Sequence, residues 1–164
     1  MTNTLGHINS DGTPAMVAVD GKPATLRTAT AEARLILPAE VLAHLTAHHS
    51  DDPVGPKGAI FQTAMLAGTM AAKKTGDLIP LCHLIPLEHC AVELQFAEPD
   101  VIRIRCTARA THKTGVEMEA LTGASIAALT VYDMCKALSH QIVIQEIRLL
   151  AKQGGKRDFG KGLL

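Results

Sequence analysis

Asp133 and Lys136 stand three residues apart near the end of a long apolar run, EALTGASIAALTVYDMCKAL. On a helix that spacing makes them neighbours able to pair. An isolated pair of this kind is ordinarily a solvated surface ion pair contributing well under ~1 kcal/mol. Here the apolar surroundings point instead to a partly desolvated acid–base pair, the kind of group that moves protons in enzymes. Glu117 and Glu119, in TGVEME, are two apart and face well away from each other on an ideal helix, so at most one shares the face of Asp133. Glu119 is that one, because an offset of 14 residues is close to four turns. The same offset is a rise of about 21 Å, too far for both carboxylates to act on one bond unless the helix starts late or a neighbouring subunit intervenes. As acids at a helix start, Glu117 and Glu119 are explained equally well by the helix macrodipole.

His83 lies in LIPLCHLIPL between Pro80 and Pro86. Such a histidine is usually a satisfied core or cleft residue, but two prolines stiffen irregular backbone in the way functional loops require. Cys82 beside it points the opposite way in extended chain and makes a poor metal pair. His44 and His48 are spaced for one helix face, yet Leu45 stands where H-E-x-x-H has its glutamate and no third ligand is identifiable. With His49 beside them they read as a solvated cluster, and His7, His89, His112 and His140 show no metal spacing, so no metal site is expected. Lysines gather at breaks in the pattern: Lys57 before a helix, Lys73 and Lys74 after one, Lys152 and Lys156 around a Gly pair. That arrangement suits a phosphate site or ordinary helix C-capping. Neither G-x-x-x-x-G-K-[ST] nor G-x-G-x-x-G occurs, so any phosphate would be held by lysine and arginine side chains.

The elements that must position these groups follow from periodicity. RTATAEARLIL, from Arg27, is rich in Thr and branched residues and predicts a strand; Pro38 then opens a short helix, AEVLAHLTAHH. SDDPVGPKG is a loop, and AIFQTAMLAGTMAAKK carries apolar residues at helical spacing. LIPLCHLIPLEH, broken by its prolines, predicts an irregular extended crossing. AVELQF and VIRIRCTARAT alternate as strands around the turn EPD. The second has Ile102, Ile104, Cys106, Ala108 and Ala110 on one face and Arg103, Arg105 and Arg109 on the other. Val116 to Leu138 is helical, and IVIQEIRLL closes as a strand. The order β-α-α-β-β-α-β predicts an α+β, ferredoxin-like sandwich, an antiparallel sheet with helices packed on one face. Gly123, Ala124, Ala127 and Ala128 permit close backbone approach, to the sheet or to another subunit. The scarcity of large apolar side chains per helix favours an oligomer.

Composition narrows the function classes. A length of 164 residues with 47% hydrophobic and 20% charged content fits one compact domain. We expect flexible segments at 1–15 and 153–164 around a single catalytic domain at 16–152. Sixteen basic and sixteen acidic residues cancel, so nothing global suggests nucleic acid or a membrane surface, and any anion site must be local. Aromatic content of 2% leaves little for base stacking. No apolar run approaches a membrane span, no leader pattern opens the chain, and the expectation is a cytoplasmic protein. Cys82, Cys90, Cys106 and Cys135 contain no C-x-x-C pair and read as reduced thiols.

Three stretches, KGAIFQTAMLAGTMAAKKTGDLIPLCHLIPL, KTGVEMEALTGASIAALTVYDMCKAL and IRLLAKQGGK, resemble in order and spacing the signatures of the MoaC family, the cyclic pyranopterin monophosphate synthases of molybdenum-cofactor biosynthesis. The resemblance runs from near Met16 to about Lys156. It implies a ferredoxin-like α+β lyase assembled as a homohexamer, a trimer of dimers with active sites between subunits. The implied reaction converts 3′,8-cyclo-7,8-dihydroguanosine triphosphate to cyclic pyranopterin monophosphate with release of pyrophosphate, without a redox cofactor. Carried onto matching positions, it implies Asp133 as catalytic acid/base with Lys136 beside it. Leu81, Cys82, His83, Met118 and Glu119 would line the substrate pocket, with His83 also serving proton transfer. Lys57, Glu117, Lys152, Lys22 and Arg27 would complete the charged site.

The chain departs from the family pattern in places. It reads MVAV where members usually read M-V-D-V, putting Ala18 at an acidic position. Ala59 and Met65 replace an Asp and an Arg of the first long helix, Leu84 replaces a Pro, and GGKRDF replaces G-G-K-S-G-D. These departures motivate one alternative, a paralogue that binds a purine or pterin phosphate without turning it over. A purely structural alternative is an oligomeric scaffold whose charges serve interfaces.

Overall fold

The structure is a computed structural model describing residues 11–47, 51–160 and 162. His7, His48, His49 and most of the 1–15 segment lie outside the described residues, and the proposed pairing of His44 with His48 lies there too. The elements are β1 (Thr25–Ile36), α1 (Ala39–Thr46), β2 (Val54–Gly55), β3 (Gly58–Ala59), α2 (Ile60–Ala72), α3 (Thr75–Leu78), β4 (His89–Glu98), β5 (Val101–His112), α4 (Glu117–Cys135) and β6 (Val143–Gln153).

Four strands form one sheet in the order β4-β5-β1-β6 with every neighbouring pair antiparallel. The alternation in β5 decides which face is covered. Register places Ala29 opposite Ala108, Ala31 opposite Cys106, Ala33 opposite Ile104 and Leu35 opposite Ile102. All eight are completely buried. Over them lie α4, on β1, β5 and β6, and α2, on β4 and along α4. The α+β architecture with helices on one sheet face is therefore present, and its strand order is compatible with a ferredoxin-like sandwich.

The opposite sheet face carries the charges. Arg105 Nε donates to Glu32 Oε2 at 2.9 Å and Arg148 Nη2 approaches Glu32 Oε1 at 3.6 Å. This pairing is what allows a nearly buried carboxylate in the middle of β1, since an unpaired buried charge would cost several kcal/mol.

The small residues of α4 pack within the chain. Gly123, Ala124, Ala127 and Ala128 are all buried. A Cβ on Gly68 of α2 would stand 2.7 Å from the Gly123 carbonyl oxygen, and one on Gly123 would stand 2.5 Å from Cys106 Sγ. With bulk excluded at the crossing, larger side chains fill the flanks, including Ile60, Val131 and Met134 and a Phe61–Phe96 ring pair at 5.5 Å. The loop before α2 caps that helix from a distance. The backbone N–H groups of Phe61 and Gln62 donate to Asp52 Oδ1 and Oδ2 at 2.7 and 3.3 Å, satisfying donors that Ala59 at the helix start cannot.

Two details differ from the sequence expectations. The two-residue strands β2 and β3 form a tight hairpin inside the predicted loop, and α3 is a single turn following α2 where the irregular crossing was expected to begin. The crossing itself, from Ile79 to Glu88, is irregular as its prolines require. Beyond β6 the chain turns back, and Lys152 and Phe159 exchange backbone hydrogen bonds of 2.9 and 3.0 Å. All four cysteines are free, with Cys106 and Cys135 buried. No described helix is long and apolar enough to cross a membrane.

Candidate active site

The turn between β5 and α4, Lys113–Val116, is where chemistry-bearing residues converge. On one side of it lies a cleft of about 470 Å³. Six cationic side chains, Lys22, Arg27, Lys113, Lys152, Lys156 and Arg157, line it against the single carboxylate of Glu117. In a chain whose charges cancel overall, this is a strong local concentration of positive potential. Glu117 and Lys152 are paired across it, Nζ to Oε1 2.7 Å. Arg27 Nε donates to the His112 carbonyl at 3.2 Å, and Lys113 Nζ to the Asp20 carbonyl at 2.9 Å. These bonds tie the 16–22 segment and β1 to the wall of the cleft.

On the other side of the turn is a second cleft of about 400 Å³, lined by Val17, Val19, Leu81, Cys82, His83, Ile85, Met118 and Glu119. Lys22, Thr114, Gly115 and Glu117 line both, so the two are contiguous. The irregular crossing supplies one wall and the first turn of α4 the other. His83 Nε2 lies 2.9 Å from the Val17 carbonyl. A carbonyl only accepts, so this contact fixes Nε2 as the protonated nitrogen and leaves Nδ1 as the one that can take a proton. Glu119 is buried, 3% exposed. That burial, reinforced by the charge of Glu117 and opposed by a backbone hydrogen bond, lifts its carboxyl to about 7. Burial, with the charge of Glu119, also pushes the Cys82 thiol up.

Asp133 is not part of either cleft. It stands in the last turn of α4, where Lys57, at the β2–β3 hairpin, and Lys136 grip it from two sides. Lys57 Nζ is 2.6 Å from Oδ2 and Lys136 Nζ is 2.7 Å from Oδ1. Hydrogen bonds from Lys136 and then Lys57 hold its carboxyl at about 2. The hairpin reaches it because Gly55 packs on α4, where a Cβ would meet the Met134 carbonyl at 3.4 Å. The expectation of a partly desolvated pair is not met within one chain. The Asp133, Lys136 and Lys57 side chains are 50%, 48% and 51% exposed, because Val131, Met134 and Cys135 take the buried side of the final turn and leave Asp133 on its open edge.

A model of the MoaC family matches residues 16–155. The chain belongs to the MoaC family. Among similar proteins, the "Cyclic pyranopterin monophosphate synthase" of Xanthomonas oryzae pv. oryzae (strain MAFF 311018) is 55% identical over 156 residues, 95% of this chain and 93% of that protein. The protein of the same name from Xanthomonas axonopodis pv. citri (strain 306) is 53% identical over the same shares. "Molybdenum cofactor biosynthesis protein 1" of Dictyostelium discoideum is 44% identical over 94% of this chain but only 27% of its own length.

Every pocket residue anticipated for this MoaC chain, Lys22, Arg27, Leu81, Cys82, His83, Glu117, Met118, Glu119 and Lys152, lines one of the two contiguous clefts. Asp133, Lys136 and Lys57 form their own cluster, fourteen residues along α4 from Glu119. Two cations of the first cleft, Lys113 and Arg157, and the 17–19 wall of the second had no assigned role from sequence, while Lys156 was grouped there with the lysines that suit a phosphate site or helix C-capping. The one available signal for Lys113 was its place at the end of an arginine-rich strand. Ala18, Ala59, Met65 and Leu84, where the chain departs from the family pattern, line neither cleft. Among the described residues no group of three or more His, Cys, Asp or Glu is arranged to hold a metal ion.

Proposed function

We propose that this chain is a cyclic pyranopterin monophosphate synthase, converting 3′,8-cyclo-7,8-dihydroguanosine triphosphate to cyclic pyranopterin monophosphate and pyrophosphate in molybdenum-cofactor biosynthesis. One observation carries the reading: a cleft lined by six cations opens into one lined by an imidazole, a thiol, a raised-pKa carboxyl and apolar side chains. A polyphosphate with a polar ring system at one end has that same division. The names and identities of the relatives support it further.

In this arrangement the triphosphate lies along the cationic cleft and the ring system against Leu81, Ile85 and Met118. Rearranging a purine-derived ring to a pterin requires several proton transfers. His83 Nδ1 accepts protons, and Glu119, held near neutrality at about 7, gives and takes them at physiological pH. Closing the cyclic phosphate forms a bond from a substrate hydroxyl to the α-phosphorus and breaks the bond to the β-phosphate. The hydroxyl proton goes to a base, and the pyrophosphate leaves with charge that lysines and arginines stabilise.

The base for that step is Asp133, ionised and flanked by Lys57 and Lys136, supplied from a neighbouring chain in a homo-oligomer, a hexamer built as a trimer of dimers. Two observations support the assembly. The Asp133 cluster is too far from Glu119 to serve the same bond within one chain, and Leu66, Met70 and Leu129 of α2 and α4 are more than half exposed. A cytoplasmic location accords with a nucleotide-derived substrate. No observation favours the paralogue that binds without turnover: Ala18, Ala59, Met65 and Leu84 lie outside both clefts, and Arg157, the departing residue that does line one, adds a cation to it.

The test is to incubate the purified protein with the cyclised GTP substrate and measure pterin product and pyrophosphate. Equimolar formation of both is the expected result. Tight binding without either product would replace the reading with the non-catalytic one.

A further inference from the structure

Lys152 opens and Phe159 closes a small loop at the end of β6. Their reciprocal backbone bonds of 2.9 and 3.0 Å seal its neck, and inside it the Gly154 N–H donates to Asp158 Oδ1 at 3.3 Å. The Gly pair presses the loop against β1. Gly154 has φ +85°, and a Cβ there would stand 1.8 Å from the Leu26 carbonyl oxygen; one on Gly155 would stand 2.8 Å from Arg27 Nη1. At Gly154 only a glycine lets the chain turn this close to the strand. The next two residues, Lys156 and Arg157, line the wall of the cationic cleft.

The six cations of that cleft are not equivalent. Arg27 is spent on the carbonyls of His112 and Lys113, Lys113 on that of Asp20, and Lys152 on Glu117. The side chains of Lys22, Lys156 and Arg157 make no hydrogen bond or ion pair with the described residues. The cleft thus holds positive charge in excess of its internal partners, on side chains with donors to spare. An arginine offers two parallel N–H donors to one phosphate, and a lysine offers a movable point charge.

We propose that the closed loop Lys152–Phe159 is a polyphosphate clamp, in which Lys156 and Arg157 hold the outer phosphates of the substrate and the pyrophosphate it releases. This rests on the reading of the cleft given above. Arg157 adds the fork that a serine would lack, so it selects for two or more linked phosphates over one. The monophosphate product, with no outer phosphates, loses these contacts and is released.

The probe is inorganic pyrophosphate, titrated calorimetrically into the full-length protein, with inorganic phosphate as the comparison. Lys156→Ala and Arg157→Ala are each expected to weaken pyrophosphate binding by about tenfold, the loss of one charge-assisted contact, and to leave the weaker binding of phosphate nearly unchanged. Arg157→Lys should recover only part of the loss. With the cyclised substrate the same variants should raise KM and also lower kcat, since the departing pyrophosphate loses a cation that stabilises its charge. Unchanged pyrophosphate affinity in the double variant overturns the clamp. The two readings fail separately. Pterin product together with undiminished binding in the double variant sinks the clamp alone, whereas binding that depends on Lys156 and Arg157 without any pterin product sinks the synthase alone.

Discussion

Glu119 and Asp133 lie on the same side of α4 but at its two ends, fourteen residues apart. At the helical rise this is about 21 Å. Glu119 is buried in a cleft, and Asp133 projects half-exposed between two lysines. One bond cannot touch both in a single chain, so the proposed reaction, with both residues in it, requires the Asp133 end of one chain beside the Glu119 end of another.

That requirement predicts complementation. Asp133→Ala and His83→Ala should each be inactive alone. After unfolding and refolding together, mixed oligomers contain some sites built from the intact halves of both variants, and about a quarter of wild-type activity should return by random pairing. Activity that stays at the level of the separate, inactive variants would mean that Asp133 and His83 act from the same chain, and would overturn the shared site.

Lys57→Ala and Lys136→Ala test the cluster itself. Each leaves Asp133 with one cation in place of two, and its carboxyl should rise from about 2 toward the ordinary range. Pyrophosphate release should fall by about a hundredfold or more, the scale of a lost acid–base group. Because these side chains are half-exposed, the thermal midpoint should hardly move. A large drop in midpoint with activity per folded molecule retained would make the cluster structural.

The sheet and its covered face were legible in the sequence because the alternation in β5 is strict, from Ile102 through Ala110. The helices α2 and α4 were legible from their spacing of apolar residues. Two-residue strands and a one-turn helix carry no periodicity, so β2, β3 and α3 were invisible. Lys57 could be placed at a junction, but its partner is 76 residues away, and no local pattern encodes that contact. The packing role of Gly123 was ambiguous between sheet and subunit until Cys106 and Gly68 were seen against it. Lys113, Lys156 and Arg157 are residue types common on any surface, and only the folded chain brings them to one cleft. The pocket residues from Leu81 to Cys82, and Met118, carried no chemical signal of their own and were legible through family resemblance alone.

Gly68→Ala tests the crossing of α2 and α4. In an open helix this exchange stabilises by up to about 1 kcal/mol. Here the new methyl would lie 2.7 Å from the Gly123 carbonyl oxygen, 3.1 Å from Ala127 Cβ and 3.2 Å from Val92 Cγ2. Backbone on one side and packed side chains on the others cannot yield cheaply, so overpacking should win, with a net loss of about 1–3 kcal/mol. Chemical denaturation reads it as a lower midpoint at constant slope; an unchanged or higher midpoint would show that the helices separate freely.

Glu119 gives a pH dependence whose sign is set by burial. Its carboxyl is raised from 4.5 to about 7 in the folded chain, so between those values the folded form keeps a proton that the unfolded form releases. Stability tied to this group is therefore fully present below about 4.5 and is lost as pH rises toward 7, by roughly 3 kcal/mol in all. Glu119→Gln keeps the shape and cannot ionise, so it should remove that decline and be more stable than wild type at pH 8 relative to pH 4.5. It should also abolish turnover, because an amide cannot exchange the proton that the neutral carboxyl holds. Parallel stability profiles for the two proteins between pH 4.5 and 8 would mean that Glu119 is already ionised in the cleft, and the proton-transfer role would pass to His83 alone.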